Sequence, residues 1–454
     1  MNEHDSQRAA GILETLGYRP AADADSADLV LFNTCAVREN ADNKLYGALG
    51  RLKPVKQHRS DLQIVVAGCL AQKDRGKIAE RAPWVDVVYG THNLVNLPRL
   101  LAQAELQSLP VVEILEQIEV FPSALPARRD VRHHAWVSIS VGCNNTCSFC
   151  IVPMLRGPER SRRIGEVVTE VQELVADGVV EVSLLGQNVN SYGRDQYGKA
   201  MFAELLRELG QVEGLERVRF TSPHPRDFTL DVLSAMADTP NACEHLHLPL
   251  QSGSDRVLKA MRRSYRQGRY LELVARARQM VPGCAITTDI IVGFPGETED
   301  DFRETLKVCE FVGFDQAYTF QYSPRPGTDA ATMPDQVPAD VTKDRYQRLE
   351  VVTREASHRA HATFLGRDVD VLIDSPSKRD PNRYSGRTRG NHLVHLPVGA
   401  GYGPGDFVVV PILEVAVNYV LAGEPRSVRH AASGQSAGSD GATTSGTPVP
   451  VDSG

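Results

Sequence analysis

The sequence predicts a mixed α/β protein made of three folded units: an N-terminal parallel α/β domain, a central partial (β/α)6 barrel and a small C-terminal antiparallel β-barrel. Two series of alternating apolar strands and amphipathic helices predict the first two units. Short strands separated by Gly, Pro, Asn and Asp turns predict the third, and the last of these strands is expected over Val415–Leu421. A chain of 454 residues has room for several domains. We expect domains at 1–105, 133–360 and 361–424, a linker at 106–132 and a disordered tail at 425–454.

The composition narrows the classes of protein that fit. Apolar residues make up 42% of the chain, which supports real cores, yet no run approaches the length of a membrane span. The polar start at Met1–His4 does not resemble a signal peptide. We therefore expect a cytoplasmic protein without a membrane partner, whose cysteines are ligands or buried thiols. The net charge of -7 excludes little, because an average over several domains can hide a basic face.

In the first unit, two cysteines each end a predicted strand. The pattern predicts helices at Asp5–Leu16, Asn43–Leu52, Ala71–Arg81 and Leu94–Ala102, and strands at Leu29–Cys35, Ile64–Cys69 and Val85–Tyr89. Neighbouring parallel strands end at one edge of the sheet, where ligands bind, so Cys35 and Cys69 converge there. This placement favours metal ligation over the common role of cysteine as a small buried hydrophobe. The first helix has no strand before it, and a third ligand at the end of that missing strand would complete a second three-cysteine site.

Strands and helices alternate again in the second unit. The strands are expected at Trp136–Val141, Val180–Leu185, Arg217–Thr221, Glu244–Leu248, Ala285–Val292 and Gln316–Gln321. The helices are expected at Gly165–Asp177, Met201–Leu209, Leu230–Met236, Asp255–Met261, Tyr270–Met280 and Thr298–Val312. Six such units make an incomplete parallel barrel, whose chemistry lies at the carboxyl ends of its strands.

A compact group of cysteines follows the first strand of this unit. Three of them lie on one loop in a C-x3-C-x2-C spacing: Cys143, Cys147 and Cys150. A four-iron cluster normally takes four thiolates, so three on one loop leave an iron free to bind another group. Structural zinc is the alternative, but it needs a fourth ligand in the loop, and His133 and His134 lie behind the strand. The other cysteines lack such spacing and are expected in the core: Cys243, Cys284 and Cys309.

Two other strand ends carry groups that suit a ligand. Gly186 and Gln187 follow the second strand, and the Gly293–Glu297 turn follows the fifth. Glycine lets a backbone approach a ligand closely, although ordinary turn chemistry is the alternative at each place. Two arginine-rich groups are candidate RNA contacts, with a solvated charged surface as the alternative. They are Arg156, Arg160, Arg162 and Arg163 beside the loop, and Arg383, Arg387, Arg389, Asn391 and His392 in the third unit.

This arrangement resembles the methylthiotransferase family of radical S-adenosylmethionine (SAM) enzymes, in which an aromatic residue, here Phe149, precedes the third loop cysteine. The similarity extends to about Gly423 and makes the C-terminal unit TRAM-like. Four segments resemble the tRNA-modifying MiaB branch, the tRNA-2-methylthio-N6-dimethylallyladenosine synthases: Leu184–Tyr192, Phe220–Pro225, His247–Ser254 and Thr288–Glu297. The Gly186–Asn188 segment distinguishes this branch from sister enzymes that modify a ribosomal-protein aspartate.

The resemblance implies cofactors, ligands and partners. Two [4Fe–4S] clusters are implied, one that binds SAM through the loop cysteines and an auxiliary one with Cys35 and Cys69 among its ligands. The resemblance puts the third auxiliary cysteine immediately upstream of Met1, and the first helix without a strand favours a start that has been placed too late over a lost ligand. The groups near SAM would be Phe149, Gly186, Gln187, Gly293 and Glu297. One SAM would methylate a sulfur on the auxiliary cluster, and a second would yield the radical that abstracts hydrogen from carbon 2 of adenine. The partners would be a tRNA anticodon stem-loop and an electron donor of the flavodoxin or ferredoxin type, and the enzyme would be a monomer.

Two other interpretations of the sequence stay open. The first is a methylthiotransferase that acts on the ribosomal-protein aspartate. The second is a non-catalytic RNA-binding iron–sulfur protein, if the third auxiliary cysteine is truly lost.

Overall fold

The N-terminal part of the chain forms a four-stranded parallel sheet with helices on both faces. The computed structural model describes residues 1–36, 41–107, 109–116 and 125–431. The first elements in chain order are α1 (Asn2–Thr15), β1 (Leu29–Thr34), α2 (Ala41–His58), β2 (Gln63–Gly68), α3 (Cys69–Asp74), α4 (Gly76–Arg81), β3 (Val87–Tyr89), α5 (Leu97–Leu106) and β4 (Val111–Glu113). The strand order is β1-β2-β3-β4, and Thr34 pairs with Gly68 at the carboxyl ends of the first two strands.

Strand β2 lies inside this sheet, and its alternate residues face two apolar layers. Ile64 and Val66 pack in one cluster with α2, α3 and α4. Val65 and Ala67 pack in another with α1 and α5. A parallel sheet is stable when both faces are covered in this way, which explains the uninterrupted apolar run of the strand.

Two sequence predictions for this part are corrected. The helix expected over Ala71–Arg81 is two short helices, because Arg75 between them adopts a positive φ of 52°. The segment 106–132, expected to be a linker, contributes β4, which continues the sheet by pairing with β3. The alternating pattern was not visible there because β4 has only three residues.

The central part of the chain is an open parallel barrel. Its elements are β5 (His134–Ser138), β6 (Ser140–Val141), α6 (Val152–Arg156), β7 (Arg160–Ser161), α7 (Ile164–Ala176), β8 (Glu181–Leu185), α8 (Arg194–Tyr197), α9 (Phe202–Leu209), β9 (Arg217–Phe220), α10 (Leu230–Asp238), β10 (His245–His247), α11 (Asp255–Ala260), α12 (Gln267–Met280), β11 (Ala285–Val292), α13 (Glu299–Val312), β12 (Gln316–Gln321) and α14 (Ala339–Ala362). Strands β5-β8-β9 and β10-β11-β12 form two sheets, which one parallel bridge between Val218 and Ala242 joins. The six predicted strands are therefore confirmed, and within the described residues no ladder joins β5 to β12.

Side chains alternate between the two faces of these strands. On β11, Ile286 and Ile290 belong to the main apolar core, as do Leu246 of β10 and Val182 of β8. This core lies between the strands and the surrounding helices. The residues between them in sequence face the inside of the barrel, where His247 contacts Thr287 across the sheet.

The C-terminal part of the chain is a small closed barrel. Its strands are β13 (Asp368–Pro376), β14 (Arg383–Thr388), β15 (Leu393–Pro397), β16 (Phe407–Val415), β17 (Val420–Ala422) and β18 (Ser427–Arg429). The first five close in the order β13-β14-β15-β17-β16, with β16 pairing back to β13. The prediction of a small barrel is confirmed, although β15 and β17 run parallel.

The details of this barrel correct two expectations. The strand expected over Val415–Leu421 is split, because β16 ends at Val415 and β17 begins at Val420. The expected tail begins with an ordered strand, β18, which pairs with β16. The rest of that tail, from residue 432, lies outside the described residues.

The small barrel packs against the amino ends of the central strands. Arg217 of β9 donates to Asp370 at 2.6 Å, and Arg219 donates to the carbonyl oxygen of Thr388 at 2.8 Å. Arg389 binds Glu244 through two hydrogen bonds of 2.8 and 2.9 Å. Arg389 is thus a contact between domains and not the expected RNA contact. None of the described helices is long and apolar enough to cross a membrane.

Candidate metal centre

The cysteine loop is held at both of its ends by backbone hydrogen bonds. It connects β6 to β7, which pair in antiparallel fashion, and it contains α6. Gly142 has a φ of +83°, and a Cβ there would lie 2.6 Å from the carbonyl oxygen of Gly157. The Cys143 N–H donates to that same oxygen at 3.1 Å. The loop therefore requires glycine at position 142, because any side chain would meet backbone and not a movable group.

Gln187 connects the second barrel strand to this loop. Its Oε1 accepts a hydrogen bond of 2.6 Å from the Gly142 N–H. Gly186, just before it, lies so close to β6 that a Cβ would be 2.7 Å from the Ser140 Oγ. The two residues predicted to lie near SAM therefore position the start of the cysteine loop.

The three loop thiols are close enough to influence one another. All eight cysteines lie in the described part of the chain, and none of them is joined in a disulfide. Burial, with the neighbouring Cys147 and Cys143 thiols adding to it, raises the pKa of Cys150 to about 12. Burial also raises the pKa of Cys143. Thiols in such surroundings stay protonated at neutral pH until a cation stabilises their thiolates.

The donor set of the loop suits an iron–sulfur cluster by its chemistry. Three thiols on one loop, each partly accessible, match the ligand type that such clusters take. Within the described residues, no three His, Cys, Asp or Glu side chains already stand in a geometry that could hold a metal ion. Binding would therefore require the thiol side chains to rotate toward a common point.

A basic side chain supports the middle thiol of the loop. The buried Arg263 donates from Nη1 to the Cys147 Sγ at 3.6 Å and from Nη2 to the carbonyl oxygen of Pro249 at 3.4 Å. The contact places a positive charge beside the Cys147 sulfur. Arg263 follows α11, far from the loop in sequence, so spacing alone did not reveal it.

The Gly293–Glu297 turn faces the same loop. Phe149 packs against a buried cluster that includes Phe294 of the turn. Gly293 has a φ of +75°, and a Cβ there would lie 2.9 Å from the Thr342 Cβ. The Glu297 carboxylate accepts from the Gly293 N–H at 3.1 Å and from Arg345 at 2.8 Å. Glu297 thus braces the turn from within, and burial raises its pKa to about 7 despite the nearby guanidinium.

Cys35 and Cys69 lie together at the carboxyl edge of the N-terminal sheet. Each follows one of two paired parallel strands, β1 and β2. Cys69 is buried in a cluster with Ala36, Ile151 and Leu155, so it touches the segment that directly follows Cys150. The structure therefore brings the two cysteine groups to face each other across the domain boundary.

Arg156 connects these two groups. It ends α6 in the cysteine loop, and its Nη2 lies 3.7 Å from the Cys69 Sγ and 2.6 Å from Asp5 Oδ2. Burial opposes ionisation of Asp5, but the Arg156 guanidinium holds the pKa of that carboxyl below its usual value. Arg156 is therefore a buried link between domains and not the expected phosphate contact. Arg162 is also buried, with the Ser138 carbonyl oxygen as a partner at 3.1 Å.

Comparison with known proteins identifies the family. Residues 137–309 match the Radical SAM superfamily, and residues 1–90 match the uncharacterized protein family UPF0004. A protein of Thermobifida fusca (strain YX), named tRNA-2-methylthio-N(6)-dimethylallyladenosine synthase, is 57% identical over 93% of this chain and 86% of its own length. A protein of Nocardioides sp. (strain ATCC BAA-499 / JS614) with the same name is 54% identical over 99% of this chain and 95% of its own length. The chain belongs to this synthase family.

Each of the two family matches contains one of the cysteine groups. The radical SAM match contains the C-x3-C-x2-C loop and implies one [4Fe–4S] cluster and SAM. The N-terminal match contains Cys35 and Cys69. Among solved structures, the chain is similar in fold to the radical SAM methyltransferase TsrM from Kitasatospora setae, which was solved with tryptophan substrate and a SAM analogue bound. The TM-score is 0.50 at 16% sequence identity, and the match covers 71% of this chain and 66% of that chain. The predicted radical SAM barrel is thus confirmed.

The sequence analysis missed a polar network beside the cysteine loop. Asn188 donates a hydrogen bond of 2.8 Å to the Asp227 carboxylate. Arg226 donates to Asn145 Oδ1 at 2.7 Å and to the same Asp227 carboxylate at 2.8 Å. Asn145 lies between two loop cysteines, and Asp227 follows the third barrel strand. The signal available in the sequence was a charged pair, Arg226-Asp227, placed just after a strand end.

Proposed function

We propose that this chain is a radical SAM tRNA methylthiotransferase. Its substrate would be the N6-isopentenyl-adenosine that lies just 3′ of the anticodon, and its product the 2-methylthio derivative. The observation that carries the proposal is identity of 54–57% to proteins named for this reaction, over nearly the whole chain. The facing cysteine groups support it, because the reaction needs a sulfur to be transferred and a radical to be formed close together.

The proposal assigns the cysteines to two [4Fe–4S] clusters. Cys143, Cys147 and Cys150 hold the cluster that binds SAM, and Cys35 and Cys69 contribute to the auxiliary cluster. When bound, the clusters and two SAM molecules would supply a methylated sulfur, from the first SAM, and the radical that removes hydrogen from carbon 2 of the adenine, from the second. The units at 1–105, 133–360 and 361–424 are proposed as the functional division of the chain, with β4 added to the first unit and β18 to the third.

The protein's own residues position and insulate these groups. Gly142 and Gln187 fix the start of the loop, and the Arg263 and Arg156 guanidiniums lie beside the sulfurs of Cys147 and Cys69. Cations near a cluster offset the negative charge of its thiolates. The buried contact of Cys69 with Ile151 and Leu155 keeps water out of the space between the two cysteine groups.

The proposed partners follow from the reaction. An electron donor of the flavodoxin or ferredoxin type would reduce the cluster, and the exposed Met154 on α6, with 57% of its surface accessible, offers such a donor an apolar contact near the loop. The RNA partner is the anticodon stem-loop, whose unpaired bases can be splayed into a pocket. We place the enzyme in the cytoplasm as a monomer.

The test is nucleoside mass spectrometry of tRNA from cells that lack this gene. Complementation with the intact gene should restore 2-methylthio-isopentenyl-adenosine, and Cys150→Ser and Cys69→Ser should abolish the restoration. Cys309→Ser is the control, because Cys309 is a cysteine that lies buried in the apolar core, away from both groups. Unchanged tRNA together with a methylthio-aspartate on a ribosomal protein would contradict the proposal.

A further inference from the structure

The inner face of the open barrel is polar and aromatic, unlike the inside of a closed parallel barrel. In closed barrels of this kind, layers of Val, Ile and Leu fill the interior. The alternation described above places different residues on the inner face of the middle layers here: Trp136, Ser183, Arg219, His247, Thr287 and Tyr318. Ser183, Arg219 and Thr287 of this lining are buried, whereas Tyr318 is exposed. The exposed end of the lining is suited to a ligand that has both a flat apolar face and polar edges.

Two aromatic residues on the last strand are exposed on this inner face. Tyr318 and Phe320 are 43% and 50% accessible. Their neighbours point the other way, since Ala317 packs against the main core and the Thr319 hydroxyl donates to Glu350 of α14. Among the described residues, β12 pairs only with β11, so its free edge leaves both rings open to solvent. Exposed apolar side chains that lie next to one another often mark a binding site.

This aromatic row leads toward the cysteine loop. Tyr322, two residues after Phe320, packs in the apolar cluster that contains Phe149 and Phe294. Phe320 stands beside Ile291, a member of the same cluster, in the register of β11 and β12. A flat group stacked on Phe320 therefore lies next to the cofactor end of the barrel.

Polar groups stand one step deeper in the barrel. The ring of His247 lies 5.9 Å from that of Tyr318 in an edge-on arrangement. His247 Nε2 is 3.3 Å from Asp289 Oδ2, and its Nδ1 is 3.0 Å from the Thr287 Oγ1. The Asp289 carboxylate keeps free acceptor capacity, so it can take an N–H from the edge of a base.

We propose that Tyr318 and Phe320 are the stacking platform for unpaired RNA bases that enter through the open side of the barrel, and that Asp289 and His247 hydrogen-bond the edge of the base held there. The inference rests on the proposed function and names the residues that select its substrate. Unpaired bases fit this lining because each offers two flat faces to aromatic rings and a polar edge to the deeper pair. A peptide aspartate has no flat face for the two rings.

The first test measures RNA binding without turnover. The full chain, reconstituted with iron and sulfide, is titrated into a labelled anticodon stem-loop that contains isopentenyl-adenosine. Stacking on an aromatic side chain contributes enough that we expect Tyr318→Ala and Phe320→Ala each to weaken binding by about 5- to 150-fold. Phe311→Ala is the matched control, because Phe311 is 75% exposed but lies on α13, outside the barrel. It should bind as the unchanged chain does.

Two further measurements separate stacking from other roles. Tyr318→Phe keeps the ring and should restore most of the binding that Tyr318→Ala loses. The slope of log affinity against log salt should be the same for all variants, because no phosphate contact is removed. A 2-aminopurine beside the target base should be quenched on binding to the unchanged chain and less so on binding to Phe320→Ala.

Each outcome decides a separate question. If Tyr318→Ala and Phe320→Ala bind RNA within twofold of Phe311→Ala while the unchanged chain methylthiolates tRNA, the stacking platform is refuted and the proposed function stands. If the chain neither binds nor modifies tRNA, the proposed function fails first. If a ribosomal-protein peptide binds instead and depends on Tyr318, the occupant is a peptide and the RNA platform is refuted.

Discussion

Replacement of Gly142 by alanine is expected to prevent the cysteine loop from assembling. At a φ of +83° an alanine costs about 1–2 kcal/mol by conformation alone. Its Cβ would also overlap the backbone of Gly157 and Pro158, which costs a further 1–3 kcal/mol or so of overpacking because backbone atoms cannot rotate away. The combined cost, roughly 2–5 kcal/mol, falls on the segment that sets the direction of Cys143.

The assay is iron and acid-labile sulfide content after anaerobic reconstitution. It is done in a Cys35→Ser, Cys69→Ser background, so that only the loop cysteines can hold a cluster. We expect Gly142→Ala to lose most of its iron, because the three thiols no longer share one loop geometry. Gly268→Ala is the control, since Gly268 lies at the start of α12 with open space around it. Equal iron in the two variants would show that the loop tolerates a side chain at position 142 and would refute the reasoning.

Three other predictions concern buried charges. Asp5→Ala should lower the free energy of unfolding by about 3–5 kcal/mol, because it leaves Arg156 buried without its partner. In urea denaturation, the double variant Asp5→Ala, Arg156→Ala should lose clearly less free energy of unfolding than the sum of the two single variants. The pKa of Glu297 is raised to about 7, so its protonated form stabilises the fold fully below about pH 4.5. This stabilisation, roughly 3 kcal/mol, is lost as the pH rises through about 7. The melting temperature of Glu297→Gln should therefore depend less on pH between these values than that of the unchanged chain. A Glu297→Gln curve parallel to that of the unchanged chain would contradict this. Arg389→Ala should weaken the contact between the small barrel and the central strands by about 1–3 kcal/mol, because it leaves Glu244 without its partner. Arg389→Lys should recover only part of that loss, because lysine cannot form both hydrogen bonds of the guanidinium. Faster protease cleavage between α14 and β13 would report the weakened contact.

The sequence was a good guide to elements and to the cysteine loop, for physical reasons. Strands such as Ala285–Val292 are rich in β-branched Ile, Thr and Val, and helices such as α13 begin with the Thr298–Asp301 capping box, so local chemistry defines both. The C-x3-C-x2-C spacing places three thiols on one loop whatever the rest of the chain does. The short strand β4 escaped prediction because its pairing with β3 is tertiary and leaves no periodic pattern in three residues.

The roles of charged residues were much less predictable. Arg156 and Arg389 belong to clusters that look like solvated, RNA-contacting surface, but each is an ion-pair partner across a domain boundary, with Asp5 and with Glu244. Their partners lie more than a hundred residues away in the chain. Whether an arginine is exposed or paired depends on those distant residues, and no local pattern contains that information.

The three parts of the chain together determine how a substrate can reach the loop. The small barrel covers the amino ends of the central strands through Arg217, Arg219 and Arg389. The N-terminal part lies against β5 and α6, where His4 bonds Ser138 at 3.0 Å and Thr91 donates to the Leu155 carbonyl oxygen at 2.6 Å. Both contacts close paths that a base could otherwise use. Within the described residues, neither the small barrel nor the N-terminal part adds a strand to the free edge of β12. The exposed rings of Tyr318 and Phe320 lie on β12. Access by this side demands a base that can leave its helical stack, which is the physical reason to expect an unpaired loop nucleotide, and not one in a duplex, as the substrate.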